Sequence, residues 1–412
     1  MDNLTHSCAG LLLAEIAIRC RKERGDFLSR SWMLAAAVSS VVANNFPDVD
    51  LLWSGGLASK LGYLSHHRGH THTIVGIVPQ ALIITVLGLF LARRRQWNWT
   101  AADRWWLLWL NLVGGLVHIA FDFGNNYGIH PFWPFDNKWY YGDSVFIVEP
   151  WLWLSLAAPI VFLAKHRVIN VCAALPVVLG PALVWGTGLV PHPLAIALTV
   201  WTVGYLMVLS RASPRARVLI GGLHSVAIFS VFVALSHRAR TLTSEHFAAS
   251  HSTLRVHDVI VTPMPANPIC WQVIIIGHRE DRYEVELGML AQFPAVVSTS
   301  GCDQLHPVEF SAPVERSRLS DSEHLVWFAK FSGQLAELRA LTAADCRARE
   351  FMSFSRAPFW IVAPGSGVIG DLRYDRDKEL GFAEIALGPA EVPCTRRLPP
   401  WVPPRQALLE LH

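Results

Sequence analysis

What most limits the fold of this chain is the recurrence of apolar stretches of bilayer length. Ile74–Ala92, Trp105–Phe121, Val145–Ala164, Val168–Val190, Leu194–Leu209 and Val218–Leu235 each run nearly free of charge. Their lengths approach the roughly 20 residues that a helix needs to cross the hydrocarbon core. In that core the backbone must satisfy its own hydrogen bonds, so runs of this kind are expected to be helices. The opening MDNLTHSCAGLLLAEIAIRC has neither a basic leading segment nor a small-residue cleavage site after it. It reads as a retained first helix rather than a signal peptide. Trp32–Ala43 is shorter and is either a half-span or a helix buried among the others. Only 16% of residues are charged, against about a quarter in soluble domains, and the 17 tryptophans suit bilayer interfaces. A net charge of +3 with no basic stripe among aromatics argues against a nucleic-acid partner.

Basic clusters punctuate every second loop: Arg19–Arg30, Arg93–Arg95, Lys165–Arg167 and Arg211–Arg217. If all eight segments cross, the positive-inside rule makes these loops cytoplasmic. The loops at 46–73 and 124–144, the turn at Pro191–His192, and everything after about Ser236 then lie outside. The expected fold is mainly α, a polytopic helical membrane domain (residues 1–236) followed by a smaller soluble α+β domain (237–412). In the latter, Trp271–Leu290 has the strand–turn–strand pattern of a hairpin. SDSEHLVWFAKFSGQLAELRALT reads as a helix, and strands are expected around Phe359–Val362 and Val368–Arg373. Cys270, Cys302, Cys346 and Cys394 are either disulfide partners in an oxidising compartment or isolated buried thiols.

The polar groups of the first 150 residues carry the chemistry. His6 opens the first helix. NNFPDVDLL places Asp48 and Asp50 two apart after a proline; in extended chain both carboxylates would point the same way, which suits a divalent cation. HHRGHTHT follows, with His66, His67, His70 and His72, and then His118 and Asp122 at i and i+4 of an apolar helix, on one face. Taken singly, a D-x-D after proline is most often a turn or cap, an H-x-x-x-D is more often a hydrogen-bonded pair, and a histidine run could be a solvated loop, though such density is unusual for one. What favours a metal is that all of them fall at one membrane face, and ionisable groups at membrane depth usually mark function. Imidazole and carboxylate together suit zinc, with manganese or iron as alternatives, as one or two ions. Downstream, Trp133, Trp139 and Tyr140 form either an aromatic belt or the entrance for a lipid-like substrate, beside His130, Asp136 and Asp143. Glu149, just inside an apolar run, is a secondary site candidate.

As an ordered set, T-H-x-x-x-G (Thr5–Gly10), P-D-x-D (Pro47–Asp50), H-R-G-x-T-H-T (His67–Thr73) and H-x-x-x-D (His118–Asp122) resemble the YdjM-type family. These are inner-membrane proteins described as metal-dependent hydrolases and also labelled LexA-binding. That label concerns gene regulation and implies no DNA-binding role. The resemblance covers roughly residues 1–150; W-x-V (Trp271–Val273) and D-L-R-Y (Asp371–Tyr374) are similar to pieces of longer members. It implies His6, Asp48, Asp50, His67, His72, His118 and Asp122 as metal ligands or near-ligands, and Arg68 and Gly69 as the turn between the two histidines. His66 and His70 are accessory.

The expected function is therefore an integral inner-membrane metal-dependent hydrolase. Metal-activated water would attack an amphiphilic substrate, such as a phospholipid or lipid-linked precursor, at the outer face. Asp50 or Asp122 would act as general base, and Arg68 would hold an anionic substrate group or a metal-bound carboxylate. The alternative is non-catalytic: a structural metal, with a C-terminal domain that binds a partner or ligand. A transporter would need internal repeats, and none is evident. The topology makes a prediction: alkaline phosphatase fused to the C terminus should be active, and a cytoplasmic signal from that fusion would reverse the orientation.

Overall fold

The computed structural model describes the chain except residues 55–58, 165–166, 251–252, 306–308, 364–365, 389–398 and 411–412. Nine helices precede the first strand among the described residues: α1 (Asn3–Glu23), α2 (Arg30–Asn45), α3 (Lys60–His66), α4 (Ile74–Arg94), α5 (Ala101–Phe123), α6 (Pro150–Leu163), α7 (Arg167–Gly186), α8 (His192–Arg211) and α9 (Pro214–Ala249). Their starts follow capping chemistry. Asp2, Ser29, Thr73 and Ser213 each accept a first-turn N–H. Thr100 and Asp103 form a reciprocal capping box at α5, satisfying two orphan donors.

Of these helices, α4, α5, α7, α8 and α9 are long and apolar enough to cross a membrane. Their outer faces carry large exposed apolar side chains, such as Leu82, Val86, Leu87 and Phe90 on α4, the surface a lipid-facing helix presents. Three of the eight expected spans fall short of that criterion. α1 opens on polar residues and is charged over its second half (Glu15, Arg19, Arg21, Lys22 and Glu23), α2 has 16 residues and α6 has 14. The run from Val145 becomes helical only at Pro150, because Glu149 caps α6 from an extended conformation (φ −122°, ψ 99°). In the other direction, α9 runs through the expected boundary at 236 to Ala249, 36 residues in all. At 1.5 Å per residue it is roughly 54 Å long, far longer than a bilayer core.

The C-terminal region holds two antiparallel sheets. The first is a meander of β1 (Arg255–Met264), β2 (Asn267–Arg279), β3 (Arg282–Ala291) and β4 (Leu325–Gln334) in the order β1-β2-β3-β4. The second is β5 (Pro358–Ala363), β6 (Ser366–Asp371) and β7 (Glu384–Leu387). The short helices α10 (Thr299–Asp303), α11 (Leu335–Ala344), α12 (Cys346–Met352) and α13 (Gln406–Glu410) pack around them. The expected hairpin is β2–β3. The helix expected from Ser320 onward is corrected: Leu325–Gln334 is a strand whose residues alternate buried and half-buried, and the helix starts only at Leu335. Leu325, Trp327, Ala329 and Phe331 all face the core, a period of two that a helix does not produce. Cys270 and Cys302 form a disulfide between β2 and α10. Cys346 is not a free thiol, and Cys394 lies outside the described residues.

The two regions are joined by buried charge. Arg356 grips Asp143, in the loop before α6, at 2.8 and 3.0 Å, and Asp258 of β1 at 2.7 Å. Arg240 of α9 also reaches Asp143, and Arg405 also pairs with Asp258. Burial alone would raise the Asp258 carboxyl, but Arg356 and Arg405 more than reverse this and hold it below the usual carboxylate range. A depressed carboxylate adds stability at neutral pH that is lost as acid protonates it. Truncating Arg356 to Ala leaves Asp143, which is fully buried, with Arg240 alone. Breaking a buried pair costs about 3–5 kcal/mol, so Arg356→Ala should lower the melting temperature in detergent by several degrees. An unchanged melt would show that this network does not hold the regions together.

Candidate metal centre

Helix α5 contributes His118 and Asp122, and its neighbours come unusually close because of Gly114 and Gly115. A Cβ on Gly114 would meet Asn44 Nδ2 at 2.8 Å, and one on Gly115 would meet Ile77 at 2.7 Å. The end of α2 therefore closes on His118, and the Asn44 carbonyl accepts from His118 Nδ1 at 2.6 Å. After α2 the chain makes a 3₁₀ turn over Phe46–Leu52 instead of the extended stretch expected for D-x-D. In a turn of three residues, residues i and i+2 do not share a face. Asp48 and Asp50 accordingly lie on opposite edges of His72: Asp48 Oδ1 is 3.3 Å from Nε2 and Asp50 Oδ2 is 3.3 Å from Nδ1.

The histidine run bends sharply. Arg68 adopts φ +60°, a strained conformation for a residue with a Cβ. Its N–H donates to Asp50 Oδ2 at 2.9 Å, and His130 Nδ1 donates to its carbonyl at 3.2 Å. Gly69 is required for close approach, since a Cβ there would meet the Trp401 ring at 2.7 Å. A short 3₁₀ turn then presents His72, and Thr73 caps α4.

These turns bring four ligand atoms together from Asp48, His72, His118 and Asp122. His72 Nε2 lies 3.1 Å from His118 Nε2, 3.3 Å from Asp48 Oδ1 and 3.2 Å from Asp122 Oδ2. His118 Nε2 lies 3.6 Å from Asp48 and 3.3 Å from Asp122. Four N or O donors at about 2.0–2.1 Å around a tetrahedral ion stand roughly 3.3 Å apart, so the spacing fits. The tautomers fit as well. His118 donates from Nδ1 to Asn44. Thr71 spends its hydroxyl proton on Asp50 Oδ2 at 3.0 Å and so accepts from His72 Nδ1 at 3.1 Å. Both Nε2 atoms thus offer lone pairs to one point, and Asp122 Oδ2 has no hydrogen-bond partner. Only a positive charge makes that arrangement stable: a proton on His72 Nε2, or a metal. Burial would lower the His72 pKa, but Asp122, Asp48 and Asp50 together hold it well above the ordinary value.

The remaining sequence candidates surround this cage. Asp50, 1% exposed, accepts from His67 Nδ1 at 2.9 Å, from the Arg68 N–H and from the Thr71 hydroxyl; its oxygens are filled by donors. Arg68 Nη2 holds Asp122 Oδ1 at 3.0 Å, and the Met1 amino group contacts the same oxygen. His6 stacks on His118 at 3.9 Å and points Nε2 at Asp122 Oδ1 from 3.4 Å. His70 is exposed and lies against Trp133 and Trp401, while His66 is half-buried. His130 is wedged between Trp139 and Trp401, where burial pushes its pKa down to about 3. Asp136 bonds Tyr140, Asp143 serves the interdomain network, and Glu149 caps α6; none of the three joins the cage. Asn44 and Thr71, which set the tautomers, escaped sequence reasoning because one acts through its backbone carbonyl and the other is a threonine among histidines.

Residues 1–192 match the model of a family described as YdjM inner membrane protein, in line with the resemblance of the motifs. An uncharacterized protein of Bacillus subtilis (strain 168), YfhP, is 26% identical over 164 residues, 39% of this chain and 45% of that protein. The similarity thus spans less than half of that relative's length. No solved structure matches the chain.

Groups that orient a metal-binding histidine are typically worth 10–100-fold in affinity. Asp50→Asn should therefore weaken metal binding by about that factor in a chelator competition and leave the ligand set intact. Affinity equal to wild type would remove Asp50 from the centre.

Proposed function

We propose that this chain, whose first 192 residues match the YdjM inner membrane protein family, is a metal-dependent hydrolase of the bacterial inner membrane. It would act on an amphiphilic, lipid-like substrate at the outer face. The observation that carries this reading is the facing pair of imidazole Nε2 atoms, 3.1 Å apart, with two carboxylates closing the tetrahedron. Two imidazoles and two carboxylates suit zinc first, with manganese or iron as alternatives. Asp48, His72, His118 and Asp122 would hold one ion, which when bound supplies the Lewis acidity that activates water near neutral pH.

The protein's own groups take the other roles. Asp50 fixes the tautomers of His67 and His72. With Nδ1 of His67 carrying the proton against Asp50, Nε2 is the basic atom, so His67 accepts and returns the proton of the attacking water. Arg68 neutralises Asp122. Asp48 is the one cage residue whose side chain solvent reaches appreciably, at 15%, so water reaches the centre from its side. The Cys270–Cys302 disulfide supports an extracytoplasmic C-terminal domain, since such bonds persist in oxidising compartments.

A second reading has its own observation. Four protein donors complete a tetrahedron, the pattern of a structural zinc, and the C-terminal domain would then carry the function. His67→Ala separates the two. On the catalytic reading the purified variant keeps about one equivalent of metal and loses roughly 100-fold or more in hydrolysis of a fluorogenic lipid ester, the usual worth of an acid–base group. On the structural reading no such activity depends on it. Asp48→Asn and His118→Ala should both lose the metal, and a wild type purified without stoichiometric metal would end both readings.

A further inference from the structure

Three arginines and no carboxylate line a cavity of about 360 Å³ between the outer end of the membrane helices and the C-terminal domain. Arg68 and Asn125 enter it from the membrane side, and Arg373 and Arg376 from the turn after β6. The positive charges differ in what balances them. Arg373 is committed to Asp371 at 2.8 Å and to the Asn126 carbonyl at 2.6 Å. Arg68 is committed to Asp122. Arg376 bonds only neutral oxygens, Gln272 Oε1 at 2.9 Å and the Arg373 carbonyl at 3.2 Å. Its neighbour Asp375 is turned away to the N–H groups of Ser311 and Ala312. No carboxylate pairs with Arg376 among the described residues.

Two further donors on the cavity's residues lack acceptors. Arg68 Nε and Asn125 Nδ2 are buried without a hydrogen-bond partner, on side chains only 3% and 2% exposed. Buried donors in folded proteins are almost always satisfied, so these mark the place of a missing acceptor. What the cavity asks for is net negative charge and several oxygens reachable from different directions, from Arg376 on one domain and from Arg68 and Asn125 on the other. A phosphate, with its oxygens spread tetrahedrally, meets that demand better than a planar carboxylate, and guanidinium groups favour it. Val145, Phe146 and Ile147 add an apolar part to the lining. Ile147 is 46% exposed and lies three residues before the start of α6.

We infer that this cavity is a head-group subsite that takes the phosphate of an anionic amphiphile, completed by Arg376 of the C-terminal domain. The site names the substrate class for the hydrolase proposed above and rests on that reading only for its role in turnover. Arg68 links the two, because the guanidinium that lines the cavity also holds Asp122 of the cage. The phosphate therefore sits one side chain from the metal ligands.

The test is binding by full-length protein in detergent micelles, measured by calorimetry. The probes are dihexanoyl phosphatidic acid, dihexanoylglycerol and inorganic phosphate. Wild type should bind phosphatidic acid at least tenfold more tightly than either comparator. Arg376→Gln should weaken that binding about tenfold or more at an unchanged melting temperature, and Arg376→Lys should lose less. Equal binding of dihexanoylglycerol would show that no phosphate is read. Equal binding of inorganic phosphate would show that no amphiphile is. Wild-type affinity in Arg376→Gln would remove the C-terminal domain from the site. Asp48→Asn, lacking a cage ligand, should bind phosphatidic acid as wild type does, so failure of the hydrolase reading and failure of this subsite are read separately.

Discussion

Two imidazoles and two carboxylates converge on one point at the buried end of a helical bundle, and that convergence needs a positive charge to hold it. His72, His118 and Asp122 are at most 1% exposed, so water cannot relieve the crowding of their lone pairs. Burying such groups without a counter-charge costs several kcal/mol each. Much of the local architecture follows from meeting that demand. Gly114 and Gly115 let α2 and α4 approach α5. The 3₁₀ turn at Asp48–Asp50 splits the two carboxylates across His72. The strained Arg68 turns its N–H to Asp50 and its guanidinium to Asp122.

The C-terminal region is tied to the same few residues. Trp401 donates to the Ser65 carbonyl, fits over Gly69 and stacks on His130, which in turn holds the Arg68 carbonyl. Glu350 accepts from Ser65, and Arg373 donates to the carbonyl of Asn126, four residues beyond Asp122. The H-R-G turn is therefore clamped from both domains.

Much of this was legible in the sequence, for identifiable reasons. Apolar length is a strong signal, and α4, α5, α7, α8 and α9 follow it. The i, i+4 rule placed His118 and Asp122 on one face, and the cage atoms all come from residues the motifs picked out. What could not be read was direction. D-x-D looks alike in extended chain and in a 3₁₀ turn, yet the first sends both carboxylates one way and the second divides them. LVWFAKFSGQ precedes a true helix and shares its apolar content, so its period of two was lost in the longer window. W-x-V and D-L-R-Y lie about 100 residues apart. Only the fold shows that Gln272 of the first receives Arg376, just beyond the second.

The cage also has a definite depth. Asp103 and Asp122 mark the two ends of α5, 19 residues apart and so roughly 28 Å at 1.5 Å per residue, close to the thickness of a bilayer core. Asp103 binds Arg21 of α1 at 2.6 Å, at the end where the basic loops gather, while Asp122 joins the cage at the other. A centre at that second interface is within reach of a head group whose chains stay in the bilayer, so a substrate would not have to leave the membrane. A cage at mid-membrane would favour a path across, and a cage within the C-terminal sheets would favour a water-soluble ligand. The depth set by α5 therefore supports the amphiphile proposed above as the occupant of the cavity.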